Sequence, residues 1–98
     1  MKNLFQILTS VVEGKMIGVC KRKITDTHHL SLLKGFVYSS DNLICTAKGN
    51  TISLSDNENP ETAPLTIDTT SIANLDYKLR KRLISFEIED EKYVVTFA

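Results

Sequence analysis

Leu43-Ile44-Cys45-Thr46-Ala47-Lys48-Gly49-Asn50-Thr51-Ile52-Ser53-Leu54 is the stretch on which the fold turns. Two extended runs flank Gly49-Asn50, and both central residues tolerate the positive φ that a two-residue hairpin demands. Residues 51–54 should therefore fold back antiparallel on residues 43–48. Toward the C-terminus, Ser55 to Pro64 is polar, with Asp56, Glu58, Glu61 and both prolines of the chain. Proline has no place in a central strand, so this segment reads as a mobile loop. Toward the N-terminus, Ser39-Ser40-Asp41-Asn42 reads as a turn, because Ser, Asp and Asn hydrogen-bond their own backbone.

The rest of the chain follows the same pattern of short runs and turn residues. Met16 to Lys23 forms a first strand and Thr25 to His29 ends it. Leu30, Leu32, Phe36 and Tyr38 alternate along a second, with Lys34 the polar exception on that face and Gly35 a candidate bulge. Leu65-Thr66-Ile67 resumes the extended pattern. Asp68-Thr69-Thr70-Ser71 either caps a helical turn or bends the strand, and Ile72, Leu75 and Tyr77 continue the apolar contact. Ile84, Phe86 and Ile88 alternate with Ser85, Glu87 and Glu89. Tyr93, Val95 and Phe97 alternate again after an acidic turn at 89–92, giving a C-terminal hairpin with one face toward water.

The one helical period is N-terminal. Leu4, Leu8, Val11 and Val12 share a face, Asn3 and Gln6 are placed for a capping box, and Gly14 suits the left-handed position past the helix end. The expected organisation is a single domain over 1–98: a helix at about 4–13, a β-barrel at about 15–98 and the mobile loop at 55–64. The fold class is mainly β, a small, strongly bent antiparallel sheet or partly open barrel of 6–8 strands with one N-terminal helix.

Bulk properties narrow the function. The 98 residues suffice for one core, and 42% hydrophobic with 24% charged residues is an ordinary globular mix. Twelve basic and twelve acidic side chains cancel, so no overall field draws the chain to nucleic acid or anionic lipid. Such a partner needs a local patch. Cys20 and Cys45 are too few for a disulfide framework and read as reduced, buried residues. The apolar run from Leu4 is broken by Gln6, Thr9 and Ser10 and lacks a cleavage site, so it does not read as a signal peptide. No run approaches the roughly 18 apolar residues of a transmembrane segment. The cytoplasm is the expected compartment.

From Gly35-Phe36-Val37-Tyr38 through Asp41-Asn42-Leu43-Ile44, Leu65-Thr66-Ile67 with Ile72 and Leu75, Leu83-Ile84-Ser85-Phe86 and Tyr93-Val94-Val95-Thr96-Phe97, the order of features resembles the bacterial PH-like and GRAM domains. The resemblance covers about two thirds of the chain and implies a small bent barrel. It departs at the helix: such domains close a barrel end with a C-terminal helix, whereas the helix here is N-terminal. In that respect the chain is similar to Sm-like barrels.

Basic residues fall in two clusters, Lys21, Arg22 and Lys23, then Lys78, Arg80, Lys81 and Arg82. If both lie at one end of the barrel they form a single cationic patch for a phosphate-bearing ligand, lipid headgroup or nucleic acid. Otherwise they are solvated strand ends balanced by nearby acids. The resemblance implies headgroup binding on the first strand pair, but the spaced Lys-x-Arg pattern of such sites is absent from Lys21-Arg22-Lys23. His28-His29 with Asp26 and Cys20 has metal-ligand residue types without ligand spacing, and no nucleophile–base or phosphate-loop motif is present. The expectation is a non-catalytic interaction or regulatory module with no cofactor. It would bind a protein partner, or a second copy of itself, through a sheet edge or the helix–barrel groove. The alternatives are the phosphate-bearing ligand at the basic loops and, last, a small enzyme.

Overall fold

The computed structural model describes residues 3–24 and 36–98. Among them, eight strands form two antiparallel sheets behind one N-terminal helix. The strands are β1 (Ile17–Lys23), β2 (Phe36–Ser40), β3 (Leu43–Lys48), β4 (Thr51–Asp56), β5 (Leu65–Asp68), β6 (Ile72–Lys78), β7 (Leu83–Ile88) and β8 (Glu91–Phe97). One sheet runs β2-β1-β8-β7-β6 and the other β3-β4-β5. Strands consecutive in the chain are neighbours within each sheet, and β8 returns to pair with β1 from Ile17 opposite Phe97 to Lys23 opposite Glu91. The path is a meander whose first and last strands meet, interrupted at the β2/β3 and β5/β6 corners, so the bent sheet is a partly open one.

The deciding hairpin is present, with Lys48 opposite Thr51. Only Gly49 of its two turn residues takes positive φ, +60°. The strand leaving the turn runs through Asp56, beyond the expected Leu54. Residues 68–71 resolve into Asp68, whose carboxylate caps by accepting from Thr70 N at 2.9 Å, and one 3-10 turn, Thr69–Ser71. In β6 the register shifts between Ala73 and Asp76, with Asn74 at φ 54°. This extra residue is why Ile72, Leu75 and Tyr77, not a strict alternation, reach the core. Of the face expected to meet water on the C-terminal hairpin, Ser85 is instead buried. Residues 25–35, including His28, His29, Leu30, Leu32, Lys34 and Gly35, lie outside the described residues.

The helix has the expected capping box: Asn3 Oδ1 accepts from Gln6 N at 2.8 Å and Gln6 Oε1 from Asn3 N at 3.0 Å. It departs from the expected α-helix after one turn. Residues Leu4–Ile7 (α1) are α-helical and Leu8–Val12 π-helical, Glu13 N donating to Leu8 O at 2.8 Å. Thr9 Oγ1 donates back to Phe5 O at 2.9 Å and Ser10 Oγ to Gln6 O at 2.6 Å. These hydroxyls compete with main-chain amides for the same carbonyls, which favours the widened turn. Gly14, at φ +84°, ends it.

Leu4, Ile7, Leu8 and Val12 of this helix are buried in one cluster with Val19, Leu43, Ile52, Leu54, Ile84, Phe86 and Val95 from both sheets. Phe86 stacks on Tyr93 across the β7–β8 ladder, ring centroids 5.1 Å apart. The helix thus covers the apolar interior that the two sheets leave open.

Candidate functional site

The two corners of the meander are built differently. At β2/β3 the segment after the helix lies along the outer edge of β3. Gly14 N donates to Leu43 O at 2.8 Å, Leu43 N to Lys15 O at 3.0 Å, and Cys45 N to Glu13 Oε2 at 3.1 Å. The buried Asp56 carboxylate ties the same corner down, accepting from Asp41 N at 3.2 Å, Asn42 N at 3.3 Å, Glu58 N at 3.0 Å and Asn59 Nδ2 at 2.9 Å. Chiefly through Asn59, and then through those main-chain amides acting against burial, its pKa falls from 3.8 to about 2. Asp56 therefore fixes the start of the polar loop expected to be mobile. Above it the Tyr38 hydroxyl is raised by burial, an effect that Ser40 opposes and the Asp56 charge reinforces.

At β5/β6 the two strands are outermost in their sheets and no ladder joins them among the described residues. Their turn is anchored to the β3–β4 hairpin by Thr69, whose N and Oγ1 both donate to Asn50 O, at 2.7 and 2.8 Å. A groove of about 680 Å³ opens there, between the first helical turn, the β3–β4 hairpin and the first half of β6. Leu4, Phe5, Ile52, Ile72 and Leu75 make its apolar lining, with Asn3, Asn50 and Asn74 as polar rim. The groove lies beside the helix, at the β6 edge that no ladder covers among the described residues. A shallower depression of about 350 Å³ lies at the far end of the larger sheet, between Met16, Ser39, Asp41, Thr96 and Phe97.

The two basic clusters do not meet. Lys23 stands opposite Glu91, which stands opposite Ile88, whereas Lys78 stands opposite Leu83, itself opposite Thr96. The clusters are thus at opposite ends of one sheet, separated along β7 by roughly 17 Å. The condition for a single patch is not met. Around the first cluster, Lys21 Nζ lies 3.4 Å from Glu91 Oε2 and 5.9 Å from the Tyr93 ring centre, and Ile24 N donates to Asp90 O at 2.8 Å. Arg22 stands opposite Lys92 within the β1–β8 ladder. The acidic β7–β8 turn thus balances this cluster. Around the second, Lys78 pairs with Asp76 at 3.8 Å, and Arg80, Lys81 and Arg82 are exposed.

Both cysteines are free. Cys20 is half-buried on β1, its pKa raised by burial. Cys45 is buried on β3, its thiol pushed up to about 11 by burial and by the Glu13 charge. Among the described residues no three metal-ligating side chains converge and no helix is long and apolar enough to cross a membrane. No family model, curated protein or solved structure matches the chain.

Proposed function

We propose that the chain is a non-catalytic interaction module that takes an extended, apolar peptide segment of a protein partner into the β5/β6 groove. One observation carries the reading: at this corner an apolar groove of peptide dimensions runs beside strand edges that lack a neighbouring ladder among the described residues. An extended peptide meets both needs at once. Its main chain supplies partners to the unpaired edge while alternate side chains enter the apolar lining, which is the physics of strand addition. The Asn74 bulge twists the N-terminal part of β6 out of register with a flat partner. Edge-to-edge pairing between copies is thereby discouraged and short, flexible peptides are favoured.

Panning a random-peptide phage library on the whole chain tests this. Recovered peptides should alternate apolar residues, and on ¹⁵N-labelled protein should shift the amide signals of Ile72, Ala73 and Leu75. They should lose binding to Ala73→Trp, which fills the groove from an exposed position. Peptides that shift signals elsewhere, or bind Ala73→Trp unchanged, contradict the reading. So does a library that yields no binder.

A further inference from the structure

The end of the larger sheet opposite the groove carries a second, independent surface. Arg82 O accepts from Phe97 N at 3.2 Å, and Met16 O accepts from Ala98 N at 3.0 Å. The β6–β7 turn and the entry to β1 are thereby held on one end of the molecule. Lys15 Nζ, 5.6 Å from the centre of the Phe97 ring, joins them. Five cations collect at this end, Lys15 with Lys78, Arg80, Lys81 and Arg82. Near Lys15 stand Glu13, Asp41 and Asp56 of the β2/β3 corner, whereas Asp76, bound to Lys78, is the acid paired at the turn cluster. In a chain whose charges cancel overall, the imbalance is at the turn itself, where Lys78, Arg80, Lys81 and Arg82 stand with Asp76.

The same end holds the two most exposed large apolar side chains among the described residues. Leu79 is 61% exposed and Met16 57%. Leu79 sits at the tip of the β6–β7 turn, a 3-10 turn over Leu79–Lys81 closed by Arg82 in left-handed conformation, φ 51°. Leu79 is thus exposed at a tip ringed by cations. It is suited to an interface that is anionic at its surface and apolar just beneath.

We propose that this end docks on an anionic bilayer surface, Leu79 entering the headgroup boundary while Lys78, Arg80, Lys81 and Arg82 contact lipid phosphates and carboxylates. The surface lies away from Lys21-Arg22-Lys23, where Lys21 pairs with Glu91. Nucleic acid is the poorer fit. The aromatic residues beside the turn, half-buried Tyr77 and buried Phe97, pack against the core and offer no exposed ring for stacking. The groove occupies the other half of β6, so peptide capture and membrane docking stand or fall separately.

The chain contains no tryptophan, so Leu79→Trp places a single reporter at the tip and Ile24→Trp, at an exposed site, places one at the opposite end. Vesicles of phosphatidylcholine containing about one quarter phosphatidylserine should blue-shift the emission of Leu79→Trp and leave Ile24→Trp unchanged. Pure phosphatidylcholine should shift neither. With about fivefold in partitioning per surface cation, Arg80→Ala/Lys81→Ala/Arg82→Ala should weaken vesicle binding about a hundredfold. Leu79→Ser should weaken binding while leaving its salt dependence in place. These positions are exposed, and circular dichroism checks that each variant is folded. Absence of vesicle binding overturns the proposal. So does a blue shift at Ile24→Trp instead of Leu79→Trp, or binding of heparin or duplex DNA as tight as that of the vesicles.

Discussion

Truncating Leu8 to alanine tests whether the N-terminal helix is a structural part of the core. Leu8 is 1% exposed and packs with Leu4, Ile7 and Val12 against residues of both sheets. Removing a leucine side chain from such a site forfeits its transfer energy and leaves a cavity, about 3 kcal/mol in all. In a domain of this size that lowers Tm by roughly 12 to 24 °C, a large share of a total stability of about 5–15 kcal/mol. Glu61→Ala is the internal control, an exposed position in the loop before β5, where the change should stay within about 0.5 kcal/mol. Thermal melts by circular dichroism, paired with urea titrations whose slope should stay constant, give both numbers. If Leu8→Ala and Glu61→Ala melt together, the helix does not seal the sheets and the groove loses one of its walls.

Three further outcomes follow from particular residues. Asp56 has its folded pKa depressed to about 2 from 3.8, so its stabilisation is complete above about pH 4 and is lost as pH falls through about 2. Acid titration of Asp56→Asn should show a flatter fall in stability across that window than the parent, and parallel curves would refute the role. Gly49→Ala meets no neighbouring atom but forces a side chain to φ +60°, so it should cost about 1–2 kcal/mol by urea denaturation, with Gly49→Asn cheaper. At pH 8 a thiol reagent should label Cys20 before Cys45, since Cys45 is buried with its thiol held near 11 and the thiolate is the nucleophile. Equal rates in the folded protein would contradict the burial.

Much of the architecture is written in local chemistry. Alternation along 43–48 and 51–54 with glycine between, the Asn3 and Gln6 capping box and the C-terminal hairpin each depend on residues a few positions apart. Structure that depends on distant partners was not legible. The β1–β8 ladder joins residues at the two ends of the chain. Asp56 reads as one more loop acid until four donors from two loops surround it. The π-helical stretch depends on Thr9 and Ser10 turning their hydroxyls back on the helix, where the apolar period alone indicated a plain α-helix.

The same distinction governs the candidate surfaces. A groove beside the helix was foreseeable, but its walls come from residues 3–5, 47–52 and 69–75, which only the corner at β5/β6 brings together. The basic clusters were visible as composition. Their separation to opposite ends, the acids that balance one of them and the exposure of Met16 and Leu79 beside the other are consequences of strand register.

Backbone amide hydrogen exchange, read residue by residue by NMR, tests the central claim that the meander is open at β5/β6. In β7, paired on both sides, amides should be protected in both directions. In β5 and β6 protection should alternate, slow where an amide faces β4 or β7 and fast where it faces the edge that no ladder covers. Uniformly slow exchange along both strands would mean that the sheets are joined there, and the peptide groove would not exist.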